Sequence, residues 1–459
     1  MTIKNATVNP EGGRYSAALV GRLHNGGSIE NCHVVESSVT INHWQVGGIV
    51  GQNNNGNISN CSVTGSTITG KAAVGAIVGM DMAAGEHIIE NCRVTNSALA
   101  AETIFEGYEM TYGLAVGLVN ASGIILNLNN VVVENNTIKG VAANTLVGEV
   151  VDGAKVYVNG SIPVTTAEQL DAAIKAGGEY ILMNDVDVAA ATYQNVDFTL
   201  DGNGYTIRQK EGSYNEYGLF DSVTGKLTLK NIVFDGIKKG AVLRTTGAEL
   251  TMDNVTVKNC EHTQIYGLFR LIGKNVIKNC KFENNKCTTV ITFNTEGDGN
   301  TDPQLVQNCE FKNNTCSATA VVHYSTGGSA TFDGNKFVNN TLTVSNGATL
   351  YLGFKKNCTV TNNLFDGNTV TATSKRSSGG LMVGNAAVVT GNAFVNNTVT
   401  VNGQTGYGND VCASPYYAPI DLSGNYWGGS APVENDDYYK EYNNYEVIIN
   451  NYLTENPIK

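Results

Sequence analysis

Similar hexapeptides recur along the first third of this chain: IKNATV, IENCHV, ISNCSV, IENCRV and LNNVVV, ending at Val8, Val34, Val63, Val94 and Val133. Between them lie AALVG (17–21), GGIVG (47–51), GAIVG (75–79), GLAVG (113–117) and NTLVG (144–148). The last two thirds repeat a related unit: LTLKNIVFDG, LTMDNVTVKN, VIKNCKFENN, LVQNCEFKNN, TFDGNKFVNN, TVTNNLFDGN, VVTGNAFVNN and DLSGNYWGGS. Its apolar anchors are Phe234, Val257, Phe282, Phe311, Phe337, Phe365, Phe394 and Trp427, at intervals of 23 to 33 residues. A period in that range marks a solenoid.

Each period holds two or three short runs of alternating apolar and polar residues between Gly/Asn turns, with no room for a helix of ordinary length. With 52 glycines in 459 residues and only 15% charged residues, helix is disfavoured nearly throughout. One period therefore reads as one turn of a parallel β-coil, and fourteen such coils can be counted if the one around Tyr205 is included. Coils stacked roughly 4.8 Å apart place equivalent residues in columns.

Two residues before the anchors, one column runs Ala6, Cys32, Cys61, Cys92, Val131, and the other Ile232, Val255, Cys280, Cys309, Asn335, Asn363, Asn392, Asn425. Five residues after them stand Val39, Ile68, Leu99 and Ile138, then Cys287, Cys316, Leu342, Val370 and Val399. Cysteine alternates there with aliphatic residues, so it reads as a small core hydrophobe. Stacked parallel side chains seldom have the Cβ vectors of a disulfide, and no C-x₂-C pair suggests zinc. The four asparagines ending at Asn425 read as an amide ladder. Outward columns alternate in sign, as in Lys281, Glu310, Lys336 and in Asp235, Lys258, Glu283, Lys312, which cross-strand pairing favours.

One segment departs from the repeat. TTAEQLDAAIKAGGEYILMNDVDV (165–188) puts Leu170, Ala173 and Ile174 on one helical face, with Thr165 or Thr166 as N-cap and Gly177-Gly178 as the stop. A short helix near 166–176 is expected to cap the open end of a second β-helix beginning near residue 161. Domains are thus expected at 1–160 and 161–459, the latter closed by Tyr438, Tyr439, Tyr442, Tyr445 and Tyr452.

GGIVGQNNNGNISNCSVTGSTITG (47–70) resembles the GLUG repeat of bacterial surface proteins, with Gly48, Ile49, Val50 and Gly51 at the positions that name the motif. Residues 161–430 resemble the right-handed parallel β-helix of the pectin-lyase superfamily: a capping helix, TLDGNGYTI (199–207), then N-x-F-x-x-N coils ending in GNYWGG. The resemblance implies an all-β solenoid in a secreted or cell-surface protein, with polysaccharide lyases and hydrolases on one side and adhesins on the other. The acidic and basic sets of those enzymes find no residue-by-residue match here. The opening Met1-Thr2-Ile3-Lys4 carries no signal-peptide apolar segment.

Candidate site residues come from AVLRTTG, GLFRLIG, ITFNTEG and VVHYSTG, which align Arg244, Arg270, Asn294 and Tyr324 on neighbouring coils. Guanidinium, amide and aromatic groups in one line suit a glycan. GDGNTDP (297–303) spaces Asp298, Asn300 and Asp302 like calcium ligands, but Pro303 replaces the glycine of an EF-hand and Cys309 its bidentate Glu. The six histidines are scattered, without a Ser/His/Asp or H-E-x-x-H pattern, and His323 reads as a strand residue.

A net charge of −12 without a basic cluster argues against nucleic acid. No apolar run approaches the ~18 residues of a membrane-spanning helix. The expectation is a monomeric, non-catalytic, adhesin-like β-helix contacting polysaccharide or a cell-surface glycan, without a cofactor. The alternatives are a polysaccharide lyase or glycoside hydrolase, and a structural spacer.

Overall fold

The computed structural model describes residues 1–24, 26–100, 110–215, 217–262, 267–293, 302–324, 328–353, 358–384, 387–405, 407–416 and 418–458. Two compact units, Met1–Pro163 and Val164–Lys459, divide the chain.

Coils of the first unit feed five sheets. In one, Thr2–Lys4, His33–Val35, Ser62–Thr64, Arg93–Thr95 and Val132–Glu134 pair in parallel, with Ile3, Val34, Val63, Val94 and Val133 in register. The anchor of the first coil is therefore Ile3, and Val8 pairs instead with Val39 in the next sheet. The misalignment has a physical source. Each coil bends twice through a left-handed residue, at Asn31 and Glu36, Asn60 and Gly65, Asn91 and Asn96, so Asn5 in IKNATV marks the second bend rather than the first.

The glycines of the GGIVG segments are forced by the turn they make. Gly47, Gly75 and Gly113 are stacked in register. A Cβ on them would lie 1.8, 1.8 and 2.0 Å from the carbonyl oxygens of Val50, Val78 and Val116. No side chain fits there, and the chain passes directly into the next strand. At another corner the backbone N–H groups of Ala6, Ser37, Ser66 and Ser97 donate to Ser37, Ser66, Ser97 and Asn136 side chains one coil on.

The second unit opens with the expected helix, Ala167–Ala176. Thr166 Oγ1 accepts from Gln169 N at 3.2 Å, Gly177 (φ 73°) ends it, and Leu170, Ala173 and Ile174 are buried. Parallel coils follow. A ten-stranded sheet carries Phe234, Val257, Phe282, Phe311, Phe337, Phe365, Phe394 and Trp427 in one register. From Phe282 onward their rings stack 4.8–5.1 Å apart. Tyr438–Lys440 and Val447–Ile448 pair with Val411–Ala413 and Ile420–Asp421, so the tyrosine-rich tail adds strands to the last coil.

The asparagine ladder forms in the core. Backbone N–H and Nδ2 of Asn335, Asn363 and Asn392 both donate to Oδ1 of the following asparagine, ending at Asn425, over 2.9–3.0 Å. A second ladder, Asn285–Asn314–Asn340–Asn368–Asn397, runs through the next bend and ends with Asn397 Nδ2 donating to Asp410 Oδ1 at 2.8 Å. All ten cysteines are free thiols, and nine are buried, Cys32 being partly exposed. Burial pushes the Cys260 and Cys358 thiols up to about 12, which makes them inert packing groups. The outward charges are in register as expected, and Lys258 and Asp235 close to an ion pair of 3.6 Å.

Candidate functional site

On one sheet of the second unit the strands alternate inward and outward residues. Leu243, Phe269, Ile291, Val322, Leu350, Leu381 and Val411 fill the core. The residue after each forms a facing column: Arg244, Arg270, Thr292, His323, Tyr351, Met382 and Cys412, continued by Tyr439. Asp221, following Phe220, precedes Arg244 in this line.

Arg244 and Arg270 are adjacent, as the alignment anticipated. Tyr324 is not with them. It lies in the neighbouring inward column with Leu271, Phe293 and Leu352, fully buried, and its hydroxyl donates to Gly328 O at 2.7 Å. The strip position on those coils belongs to Thr292 and His323. Alignment by the glycine that follows fails because its spacing in the sequence varies: Gly247 and Gly273 follow the column residue by three, Gly297 by five and Gly327 by four. Asn294 lies outside the described residues, as do Asp298 and Asn300. Asp302 is exposed, its carbonyl accepting from Gln304 Nε2, and no metal-ligating group of three is present among the described residues.

Two clusters build the strip. At its start Arg244 Nε donates to Asp221 Oδ1 at 2.5 Å and Nη2 to Ser222 Oγ at 2.7 Å. Its guanidinium lies over the Tyr217 ring, 4.6 Å from the centroid, and Lys239 stands equally close over Tyr214. Both rings remain about half exposed. Their segment is pinned: Ser213 Oγ accepts from Ala190 N, Ser213 O from Gln209 Nε2, and Asn215 Oδ1 from Tyr217 N.

Further along, His323 sets its ring edge-on to Tyr351, 5.1 Å away. Burial pulls the imidazole down to about 4, so it is neutral at physiological pH. Tyr351, Met382 and Cys412 point away from the coil core yet are buried, packed with Ala320, Ala348 and the partly buried Tyr439. Arg376 and Glu441 lie close enough to act on Tyr351 and Cys412, and pair with each other at 3.2 Å. Glu441 also accepts from Ser414 Oγ and the Tyr442 hydroxyl, and Tyr442 packs edge-on against the exposed Tyr416.

Sequence reasoning missed Asp221, although GLFDS (218–222) parallels GLFRL (267–271) and places Asp221 where Arg270 stands. Arg376 and Glu441 come from a loop and the tail, outside any repeat. In the first unit His87 Nδ1 donates to Asp81 Oδ1 and Oδ2 at 2.8 and 2.9 Å, and Asn53 Nδ2 to Asp81 Oδ1. Both members are sealed from solvent, so this pair is architectural.

Residues 198–399 match the family model described as "Right handed beta helix region", and residues 42–69 match "The GLUG motif". Curated proteins gave no significant match. The chain thus carries a GLUG motif near its N-terminus followed by a right-handed parallel β-helix.

Proposed function

We propose that this is a non-catalytic, adhesin-like β-helix of an extracellular or cell-surface setting, and that it holds a polysaccharide along the column from Arg244 to His323. The observation that carries this reading is the alignment of the partly exposed Arg244, Arg270, Thr292 and His323 on successive coils beside the exposed Tyr217 ring. A linear row of guanidinium, hydroxyl and aromatic groups repeating every ~4.8 Å suits an extended polymer lying along the coil axis better than a compact ligand. Planar guanidinium forks and tyrosine faces are suited to sugar hydroxyls and ring C–H groups.

Catalysis is disfavoured by the state of the ionisable groups. Arg244 is engaged by Asp221 and Arg376 by Glu441. His323, held down near 4, is too weak a base to take a proton efficiently at neutral pH.

The test is a panel of neutral and acidic polysaccharides assayed for new reducing ends and for the ultraviolet absorbance of unsaturated uronates, with a glycan array in parallel. Array binding without cleavage, weakened by substitution of Arg244, Arg270 or Tyr217, is the expected result. Turnover abolished by one Asp, Arg or Lys change would make the protein a lyase or hydrolase, and silence in both assays would leave a structural spacer.

A further inference from the structure

The strip's charges bear on which polysaccharide it takes. Among the described residues it carries the guanidiniums of Arg244, Arg270 and Arg376 and the carboxylates of Asp221 and Glu441. Asp221 holds Arg244 and Glu441 holds Arg376. In the Arg244–Asp221 pair the side chains are 18% and 7% exposed, and in the Arg376–Glu441 pair 22% and 14%. Each pair is tied in further by a hydroxyl, Ser222 to Arg244 and Ser414 to Glu441.

A polyanion would have to draw these guanidiniums from their partners and leave Asp221 or Glu441 mostly buried without a counter-charge. That exchange is strongly unfavourable. It would also approach a chain whose net charge is −12, and long-range repulsion slows such encounters. A neutral sugar makes neither demand. An ion pair already formed still offers guanidinium N–H donors and carboxylate lone pairs, which match hydroxyls that both donate and accept. The neutral imidazole of His323 and the exposed Tyr217 ring over Arg244 add uncharged contacts along the same line.

We infer that the strip from the Arg244–Asp221 pair to the Arg376–Glu441 pair selects a neutral polysaccharide and excludes polyanionic ones, because Asp221 and Glu441 hold Arg244 and Arg376 in pre-formed ion pairs. The inference rests on the glycan-binding reading of the same strip.

The experiment immobilises a neutral β-glucan, a neutral mannan, polygalacturonate and heparin, and measures binding of the full chain at low and at roughly tenfold higher NaCl. Binding to a neutral polymer should persist within about twofold across that range, since uncharged contacts are not screened. Tyr217→Ala should weaken it by about tenfold, the order of loss on removing an aromatic anchor.

The double variant Asp221→Asn, Glu441→Gln keeps the shapes and releases both guanidiniums. With circular dichroism unchanged, it should gain polygalacturonate binding that falls by about tenfold or more as salt rises. Preference of the unaltered chain for a polyanion, with steep salt dependence, would overturn the inference and leave the glycan reading standing. So would a double variant with no gain. Absence of binding to all four polymers, with the array also blank, would overturn the glycan reading itself.

Discussion

Removing one rung from the second amide ladder tests the architecture most sharply. Asn340 is fully buried. Its Oδ1 accepts from both N and Nδ2 of Asn314 at 3.0 Å, and its Nδ2 donates to Phe311 O and Asn368 Oδ1 at 2.9 Å. Asn340→Ala leaves the Asn314 backbone N–H and one Nδ2 hydrogen without these acceptors, Phe311 O short of a donor, and a void where the amide stood. At 1–3 kcal/mol for a buried group left unpaired, partly relieved by relaxation, the loss should be about 2–5 kcal/mol. The exposed neighbour Thr341→Ala should cost less than about 0.5 kcal/mol. Asn340→Asp separates accepting from donating: it still accepts from Asn314 but, when ionised, sets oxygen against Phe311 O and Asn368 Oδ1. It should be worse than alanine at pH 8 and milder at pH 5. Because a coil array need not unfold in one step, the assay is hydrogen exchange resolved to the coil, read at the amides of Asn314 and Thr315, alongside chemical denaturation of the full chain. Equal protection in Asn340→Ala and Thr341→Ala would refute the ladder as an energetic element.

The ladder's end at Asp410 should make stability depend on pH. Burial first, then Asp437 and Asp436, push this carboxyl from 3.8 up to about 7, against the Asn397 hydrogen bond that pulls it down. A raised value stabilises the fold fully below the ordinary carboxyl range and loses that contribution as pH rises through about 7, a difference of up to roughly 4 kcal/mol by pH 8. Asp410→Asn keeps an acceptor for Asn397 and should flatten the thermal stability profile between pH 5 and 8; an unchanged slope would locate the pH dependence elsewhere. For the cysteines, thiol titration in denaturant without reductant should count nearly all ten, and in native buffer Cys32 at most. A denatured count below about four would contradict the packing role.

The coil count, the helix at 166–176 and the Phe234-to-Trp427 register could be read from sequence because each depends on a column or local pattern whose chemistry repeats. The second ladder was hidden by its own composition. The paired asparagines of FENN, FKNN and FVNN resemble ordinary turn residues, yet the first adopts φ near +55° at Asn284, Asn313 and Asn339 while the second turns inward and bonds its neighbours. Within the site, Arg244 and Arg270 were legible because hydrophobic residues flank them with fixed spacing. Tyr324 misled because the sequence spacing to the following glycine varies from coil to coil. Glu441 reaches Arg376 across 65 residues, and no periodicity carries that information.

The ladders also have direction. Each internal asparagine of the second ladder, Asn314, Asn340 and Asn368, passes two donors to the coil that follows and takes two from the coil that precedes, so each of these rungs presents the same lower and upper face. A duplicated whole coil inserted between Asn285 and Asn397 would meet matching partners on both sides and orphan no polar group, whereas a single extra residue within a bend would put the ring stack and an amide ladder out of step at once. Chain length in this unit is thus a heritable variable that moves in coil-sized steps. The recognition strip, with one position per coil, would lengthen in step with it: a single duplication adds one more contact for a polymer without redesign of the existing ones.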